Sequence, residues 1–249
     1  MSLQTMRLSK VVGTQYAYRL RAYSDFFNKL IIFQVIAGVL SLNPIVSMGM
    51  GSNLANINLE IYSTSLILSA TMLWSLIMGL ILAQKQRRAG DFRFVGNQLS
   101  LNLANILFLL TSSIIAGLTT VLSNGLLKIV LVVVLRKTWM FDMLYNMTVL
   151  QMIQGTIASI LYILLFGAFG YWIFSMIAMR NKVRYLLGAL VLVMLFMLGW
   201  FGKFNIFEFL YEVYFQESIF WLFVMKMLVS IAVLLGFSTI VSNELEVRR

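Results

Sequence analysis

Residues 99–122 read LSLNLANILFLLTSSIIAGLTTVL and contain no charged side chain. A helix needs about 20 apolar residues to cross the hydrocarbon core of a bilayer. Backbone polar groups inside lipid must be paired within the segment, and a helix pairs them locally. The stretch Leu99–Leu122 therefore predicts a membrane-spanning helix.

Five other stretches repeat this character. They are Leu30–Met48, Tyr62–Ala83, Val149–Met179, Tyr185–Phe201 and Ile219–Ser242. The 249-residue chain is 61% hydrophobic and 11% charged, with a mean hydropathy of +0.91. Soluble domains carry about 25% charged residues, and a β-barrel would show alternating segments of about 10 residues. We expect an all-α membrane protein with six transmembrane helices in residues 29–249.

Residues 1–28 have a different pattern, in which apolar and polar residues separate onto two helical faces. The apolar face holds Leu8, Val12, Tyr16, Leu20, Tyr23, Phe27 and Leu30. The opposite face holds Arg7, Lys10, Thr14, Arg21, Asp25 and Asn28. The pattern predicts an amphipathic helix in the membrane interface. A basic juxtamembrane segment is the alternative.

The distribution of positive charge predicts the orientation. With the N-terminus inside, 14 Lys and Arg residues fall in inside segments and four in outside segments. Cytoplasmic loops of membrane proteins are enriched in these residues. We expect a multi-pass protein of the cytoplasmic membrane with both termini cytoplasmic. The net charge of +10 follows from the same rule, so we expect no nucleic-acid partner.

The apolar segment Leu126–Leu135 is too short to span alone, and a seventh span there would place the basic cluster at 180–184 outside. It predicts an outside segment, a re-entrant segment or a long third helix.

The segment at residues 84–98 is the basic connection between the second and third predicted spans. Its charged and aromatic members are Arg87, Arg88, Asp91, Phe92, Arg93 and Phe94. Such a loop can dock on a cytosolic partner, with Phe as the anchor and Arg as the steering charge. Alternatively, its Phe residues lie at the lipid interface.

Four charged residues are candidates for a pathway or a gate. Lys226 lies inside the last span, and Glu208, Glu212 and Glu217 lie in an aromatic segment before it. Intramembrane charges often mark pathways. Lys226 can instead extend its ammonium group to the outer surface or pair with Glu217 or Glu212, and the acids can simply be solvated. Among small residues, Gly155, Ser159, Ser112, Ala116 and Gly167 permit close helix contact.

Chemistry is limited by what the sequence lacks. It has no His and no Cys, which removes imidazole bases, thiolate nucleophiles and the usual zinc ligands. It has no G-x-x-x-x-G-K-[ST] phosphate loop. We expect no enzymatic activity, no cofactor and no metal.

The layout resembles the permease subunit of an ABC-2 type ABC transporter. The segment Asp91-Phe-Arg-Phe-Val-Gly-Asn-Gln-Leu-Ser100 running into 101–110 is similar to permeases of Gram-positive bacteria that export antimicrobial peptides or phenol-soluble modulins. The resemblance implies an elbow helix at 1–28, a coupling helix within 84–98 and extracellular re-entrant helices at 204–220. The segment 126–135 does not fit this pattern.

By this resemblance, the chain would pair with a second permease chain, membrane lipids and separate ABC ATPase subunits that carry ATP–Mg. ATP hydrolysis there would drive export of an amphipathic substrate, such as a peptide. The alternatives are a secondary transporter or channel driven by an ion gradient, for which Lys226 and Pro44 are the only support, and a membrane enzyme or scaffold subunit.

Overall fold

The computed structural model describes residues 8–43, 46–52, 55–61, 65–84, 98–134, 148–177 and 219–244. Within these ranges the chain forms six helices and one β-hairpin. The helices are α1 (Leu8–Ala22), α2 (Ser24–Leu40), α3 (Ser65–Ala83), α4 (Gln98–Val133), α5 (Val149–Ile177) and α6 (Phe220–Glu244). The strands are β1 (Val46–Ser52) and β2 (Ala55–Ile61).

Four of these helices, α3 to α6, are long and apolar enough to cross a membrane, and α1 with α2 makes a fifth crossing if the bent pair counts as one. This confirms a multi-pass, helical membrane protein. The predicted span Tyr185–Phe201 lies outside the described residues.

The first predicted span is wrong at its end. α2 stops at Leu40, and residues 46–48 belong to β1. β1 and β2 pair antiparallel, from Val46 opposite Ile61 to Ser52 opposite Ala55. The hairpin was not expected from the sequence, and it joins α2 to α3.

The N-terminal helix breaks at Tyr23 rather than at residue 28, and α1 and α2 meet at an angle of 50°. Ser24 Oγ donates to the Arg21 carbonyl oxygen at 3.0 Å, a local bond that competes with the helix ladder. The Tyr23 ring packs 5.5 Å from the Phe108 ring of α4. The bend thus keeps both α1 and α2 against α4.

The buried face of α1 matches the predicted apolar face in part, because Val12 is buried and Tyr16, Leu20 and Tyr23 are half-buried against the core. Val12, Gln15 and Arg19 are buried, whereas Leu8 is 49% exposed. The described members of the predicted polar face, from Lys10 to Asn28, are all exposed. α1 therefore packs on the protein with a face rotated by about one residue, and this face includes two polar side chains.

Side-chain pairings give the helix directions. Gln34 of α2 reaches Thr120 of α4 while Tyr23 reaches Phe108, so the N-terminal pair runs parallel to α4. α4 runs antiparallel to α5, because Gly117 lies against Ile160 while Asn105 bonds Tyr171.

α3 runs parallel to α5, since Ser75 bonds Ile163 while Gly79 meets Gly167. α6 also runs parallel to α5. Phe223 packs on Tyr162, and residues 232–239 lie beside 99–106 of α4. α1 therefore begins at the same end of the bundle where α3, α5 and α6 finish and α4 starts. We call this the α1 end.

Two glycines hold α3 against α5. A Cβ atom built at Gly79 would overlap the Gly167 carbonyl oxygen and lie 2.7 Å from the Tyr171 backbone nitrogen. A Cβ at Gly170 would overlap the Leu76 carbonyl oxygen. Small residues allow this backbone approach between helices in lipid. The expectation of close contact is met at Gly167 but not at Gly155, where an added Cβ meets nothing within 4 Å.

α4 resolves the uncertain apolar segment after residue 125. The helix is continuous for 36 residues, about 54 Å at 1.5 Å per residue, and it includes residues 126–133. Of the three alternatives, the long third helix is the one observed. Its last turns pack against the end of α2 and the start of α3 through Leu127, Leu131, Ala37 and Ile67.

Candidate functional site

Most of the predicted site residues lie outside the described residues. These are the coupling residues Arg87, Arg88, Asp91, Phe92, Arg93 and Phe94, and the acids Glu208, Glu212 and Glu217. Lys226 is described and lies half-buried in the second turn of α6. Ser230 Oγ donates to the Lys226 carbonyl oxygen at 2.9 Å.

The structure shows a buried polar group that sequence reasoning missed. Gln34 Nε2 donates to Thr119 Oγ1 at 3.0 Å, to Thr120 Oγ1 at 3.2 Å and to Thr71 Oγ1 at 3.4 Å. Thr120 Oγ1 lies 3.1 Å from Thr71 Oγ1, and Ser123 Oγ donates to Gln34 Oε1 at 3.4 Å. We call these five residues the Gln34 cluster. The cluster joins α2, α3 and α4 within the apolar part of the bundle.

The hydroxyls of this cluster also bond their own helices. Thr71 donates to the Ile67 carbonyl oxygen and Thr120 to the Ala116 carbonyl oxygen, each at 2.7 Å. The threonines therefore accept from Gln34 while their own protons are used locally. Polar contacts of this kind between helices in lipid contribute about 0.6–2 kcal/mol each.

A second polar group lies between α4 and α5. The Tyr171 hydroxyl donates to Asn102 Oδ1 at 2.9 Å and accepts from Asn105 Nδ2 at 3.2 Å. Tyr171 is fully buried, and the two asparagines are at most 2% exposed. Asn102 Nδ2 and Asn105 Oδ1 have no hydrogen-bond partner among the described residues. We call these three residues the Tyr171 triad.

The Tyr171 triad lies near the membrane boundary. α3 has 19 residues without a charge, about 28 Å of helix, which matches a hydrocarbon core of about 30 Å. Since Gly79 of α3 lies against Gly167 and Tyr171, the triad is level with the last turn of α3. It therefore lies at the α1 end, beside the helix termini that flank the predicted coupling segment.

α1 adds buried polar atoms at the same end. Gln15 and Arg19 are each 2% exposed and lie on the buried face of α1. Neither polar atom of the Gln15 amide has a partner among the described residues. Buried amides usually have hydrogen-bond partners, so the Gln15 amide can still bond a group that lies outside the described residues or on another molecule.

A cavity of about 390 Å³ lies between the start of α4 and the second half of α6. Its lining is Leu99, Asn102, Leu103, Ile106, Ala232, Leu235, Gly236 and Thr239. Its size falls in the range of small-molecule sites. Asn102 connects it to the Tyr171 triad.

The described helices offer few groups for chemistry. From Phe26 through α3, α4 and α5, and in α6 as far as Asn243, they contain no Asp or Glu. Within the described residues, no group of three or more His, Cys, Asp or Glu could hold a metal ion.

Polar residues inside apolar stretches are the sequence signal that could have located both groups. Gln34, Asn102 and Asn105 each interrupt a predicted span. The signal marks candidates, but the partners become visible only when the packing of the helices is known.

Searches with protein-family models, against characterised proteins and against solved structures find no match for this chain.

Proposed function

We propose that this chain is the transmembrane permease subunit of an ABC-2 type ABC transporter in a bacterial cytoplasmic membrane. It would export an amphipathic substrate, a peptide, with ATP–Mg bound and hydrolysed on separate ATPase subunits and with a second permease chain completing the pathway. The sequence resemblance supports this proposal, and so does the arrangement of the described helices.

The observation that carries the proposal is the position of the ends of α3 and α4. α3 finishes and α4 begins at the α1 end of the bundle, at Ala83 and Gln98. The basic segment with Arg87 and Arg88 joins these two ends. A partner that binds this segment would therefore act on two packed helices at once.

The described contacts suggest how a displacement of the segment 84–98 would be transmitted to the other helices. The Gln34 cluster ties α3 and α4 to α2. The Gly79–Gly167 contact ties α3 to α5 with no side chain between the backbones. Close-packed contacts of this kind move as units rather than deform. A displacement of the segment 84–98 would thus tilt α3, α4 and α5 together.

The helix directions also support six crossings. α5 and α6 run in the same direction, so Ile177 and Phe220 lie at opposite ends of the bundle. An odd number of crossings between them agrees with the predicted span Tyr185–Phe201. Counting the bent pair α1–α2 as one crossing gives five among the described helices, so a sixth crossing would place both termini on one side, which the positive charges favour as cytoplasmic.

Orientation can be tested directly, because the chain has no native Cys. Lys10→Cys reports the α1 end, and Val134→Cys reports the opposite end, where Val134 is 67% exposed. A membrane-impermeant maleimide applied to intact cells should label Val134→Cys and leave Lys10→Cys unlabelled. Labelling of Lys10→Cys in intact cells would place the coupling segment outside and end the proposal.

Coupling is tested with the tagged chain purified from its native membrane. We expect an ATPase to co-purify, and the double variant Arg87→Glu with Arg88→Glu to lose that association or the stimulation of ATP hydrolysis by substrate. Lys10→Glu with Arg21→Glu makes the same charge change on exposed positions of α1 and serves as the matched control. Equal ATPase association and turnover in both double variants would show that the coupling assignment is wrong.

A secondary transporter or channel is the second candidate, and the Gln34 cluster is the observation in its favour. Polar groups inside a membrane commonly line pathways. However, all its described members are neutral, which offers no titratable group for proton coupling. Liposomes that contain only this chain and show gradient-driven flux would favour this candidate over the permease.

A further inference from the structure

The cavity between α4 and α6 has a specific hydrogen-bonding character. Thr239 Oγ1 donates to the Gly236 carbonyl oxygen at 2.7 Å, so its proton is used. Asn102 Oδ1 accepts from Tyr171, while Asn102 Nδ2 has no partner among the described residues. None of the eight lining residues is charged. A complementary ligand is apolar and uncharged where it binds, and it carries a hydrogen-bond acceptor.

The position of the cavity along the membrane normal further limits the class of ligand that can bind there. Asn102 belongs to the Tyr171 triad, which is level with the last turn of α3 and hence with the edge of the hydrocarbon core. At the cavity wall, Leu99 and Leu103 are 43% and 36% exposed, so the cavity opens to the outer surface of the bundle. The ester groups of phospholipids occupy this boundary, with acyl chains on one side of it.

The position of the cavity between two helices favours a thin, flexible chain as the occupant. An α-helix with its side chains is about 10–12 Å across, whereas an extended acyl chain is much thinner. A single flexible chain has the narrow cross-section that the space between two helices allows.

We propose that this cavity is a lipid site that binds the ester end of one phospholipid acyl chain. Asn102 Nδ2 donates to the ester carbonyl oxygen, and the chain runs past Ile106 and Ala232 toward the core. Nδ2 is covered by neighbouring atoms, so this bond requires a small rotation of the Asn102 side chain. The assignment is independent of the proposed transport function.

The test compares two lipids that differ only in the carbonyl group. Native mass spectrometry of the purified chain is titrated with dioleoyl phosphatidylglycerol and with its diether analogue, which has no ester carbonyl. One net hydrogen bond corresponds to about a threefold to tenfold tighter Kd for the ester lipid. Asn102→Leu should abolish this preference, whereas Thr239→Val, which removes the other polar group of the lining and leaves Asn102 and its bond to Tyr171 in place, should keep it.

A bulky substitution locates the site. Ala232→Trp fills the cavity and should weaken binding of both lipids, while Val233→Trp, at a 63% exposed neighbour outside the lining, should not. Equal affinity of the unaltered chain for ester and ether lipids overturns the proposal, as does unchanged binding in Ala232→Trp. These two results decide the question even if Asn102→Leu fails to fold.

A photo-crosslinking residue at Leu103 identifies the occupant in membranes. An adduct with the mass of one phospholipid supports the site. An adduct with a second copy of this chain or with a peptide refutes it.

Discussion

Replacing Gly79 by Ala tests a close backbone contact between α3 and α5. The new Cβ would overlap the Gly167 carbonyl oxygen, lie 2.7 Å from the Tyr171 backbone nitrogen and lie 3.1 Å from the Gly167 carbonyl carbon. Backbone atoms cannot rotate away as a side chain would, so α3 and α5 must separate. Overpacking of this kind costs about 1–3 kcal/mol.

The gain in helix propensity offsets part of that cost. Ala is favoured over Gly inside a helix by about 0.5–1 kcal/mol. We therefore expect Gly79→Ala to lower the free energy of unfolding by about 1–2 kcal/mol. For a chain of this size the corresponding fall in Tm is about 2–8 °C. Gly79→Leu should lower the free energy of unfolding further, because its larger side chain requires a wider separation of α3 and α5.

The assay is thermal unfolding of the purified chain in mild detergent, followed by tryptophan fluorescence. Gly155→Ala is the matched control, since Gly155 lies in α5 and an added Cβ there meets nothing within 4 Å. It should leave Tm unchanged or raise it slightly. If Gly79→Ala and Gly155→Ala unfold at the same temperature, the backbone contact between α3 and α5 does not exist as described.

Two further predictions concern the polar groups. Gln34→Leu removes the donor shared by the Gln34 cluster, but Thr71 and Thr120 keep their backbone bonds. The free energy of unfolding, measured by denaturant titration, should therefore fall by only about 1 kcal/mol. A fall of more than about 3 kcal/mol would show that the cluster does more than join helices. Tyr171→Phe removes both bonds of the triad and leaves two buried asparagines short of partners, so we expect a loss of about 2–3 kcal/mol. Tyr16→Phe, at a half-buried position of α1 that packs on the core, is the control, and equal effects of the two substitutions would contradict the assignment.

Long uninterrupted apolar stretches predicted α3, α5 and α6 to within a few residues. The predicted span Tyr62–Ala83 corresponds to the observed helix Ser65–Ala83, and the predicted span Val149–Met179 corresponds to a helix that is described as far as Ile177. Helices of this type need no information beyond local hydropathy, because lipid imposes internal pairing on each backbone. The end of α2 was missed, since apolar character alone cannot distinguish a continuing helix from a strand that pairs with residues 55–61.

The polar groups could not be predicted, for a different reason. Gln34 and Asn102 are visible in the sequence, but whether they face lipid, a ligand or each other depends on which helices pack together. The same holds for α1, where periodicity correctly placed Tyr16 and Leu20 against the core but did not predict that Gln15 and Arg19 are buried beside them. A buried polar residue weakens the very pattern that locates a buried face.

The length of α4 has a geometric consequence. A rigid rod of 36 residues, about 54 Å long, is nearly twice as long as the hydrocarbon core of about 30 Å is thick. If its first turn is held and the rod leans by about 5°, simple trigonometry carries its last turn through about 5 Å. A small rotation of α4 at the α1 end would thus cause a larger displacement of its last turns at the opposite end. There the end of α2 and the start of α3 pack against α4 and would move with it.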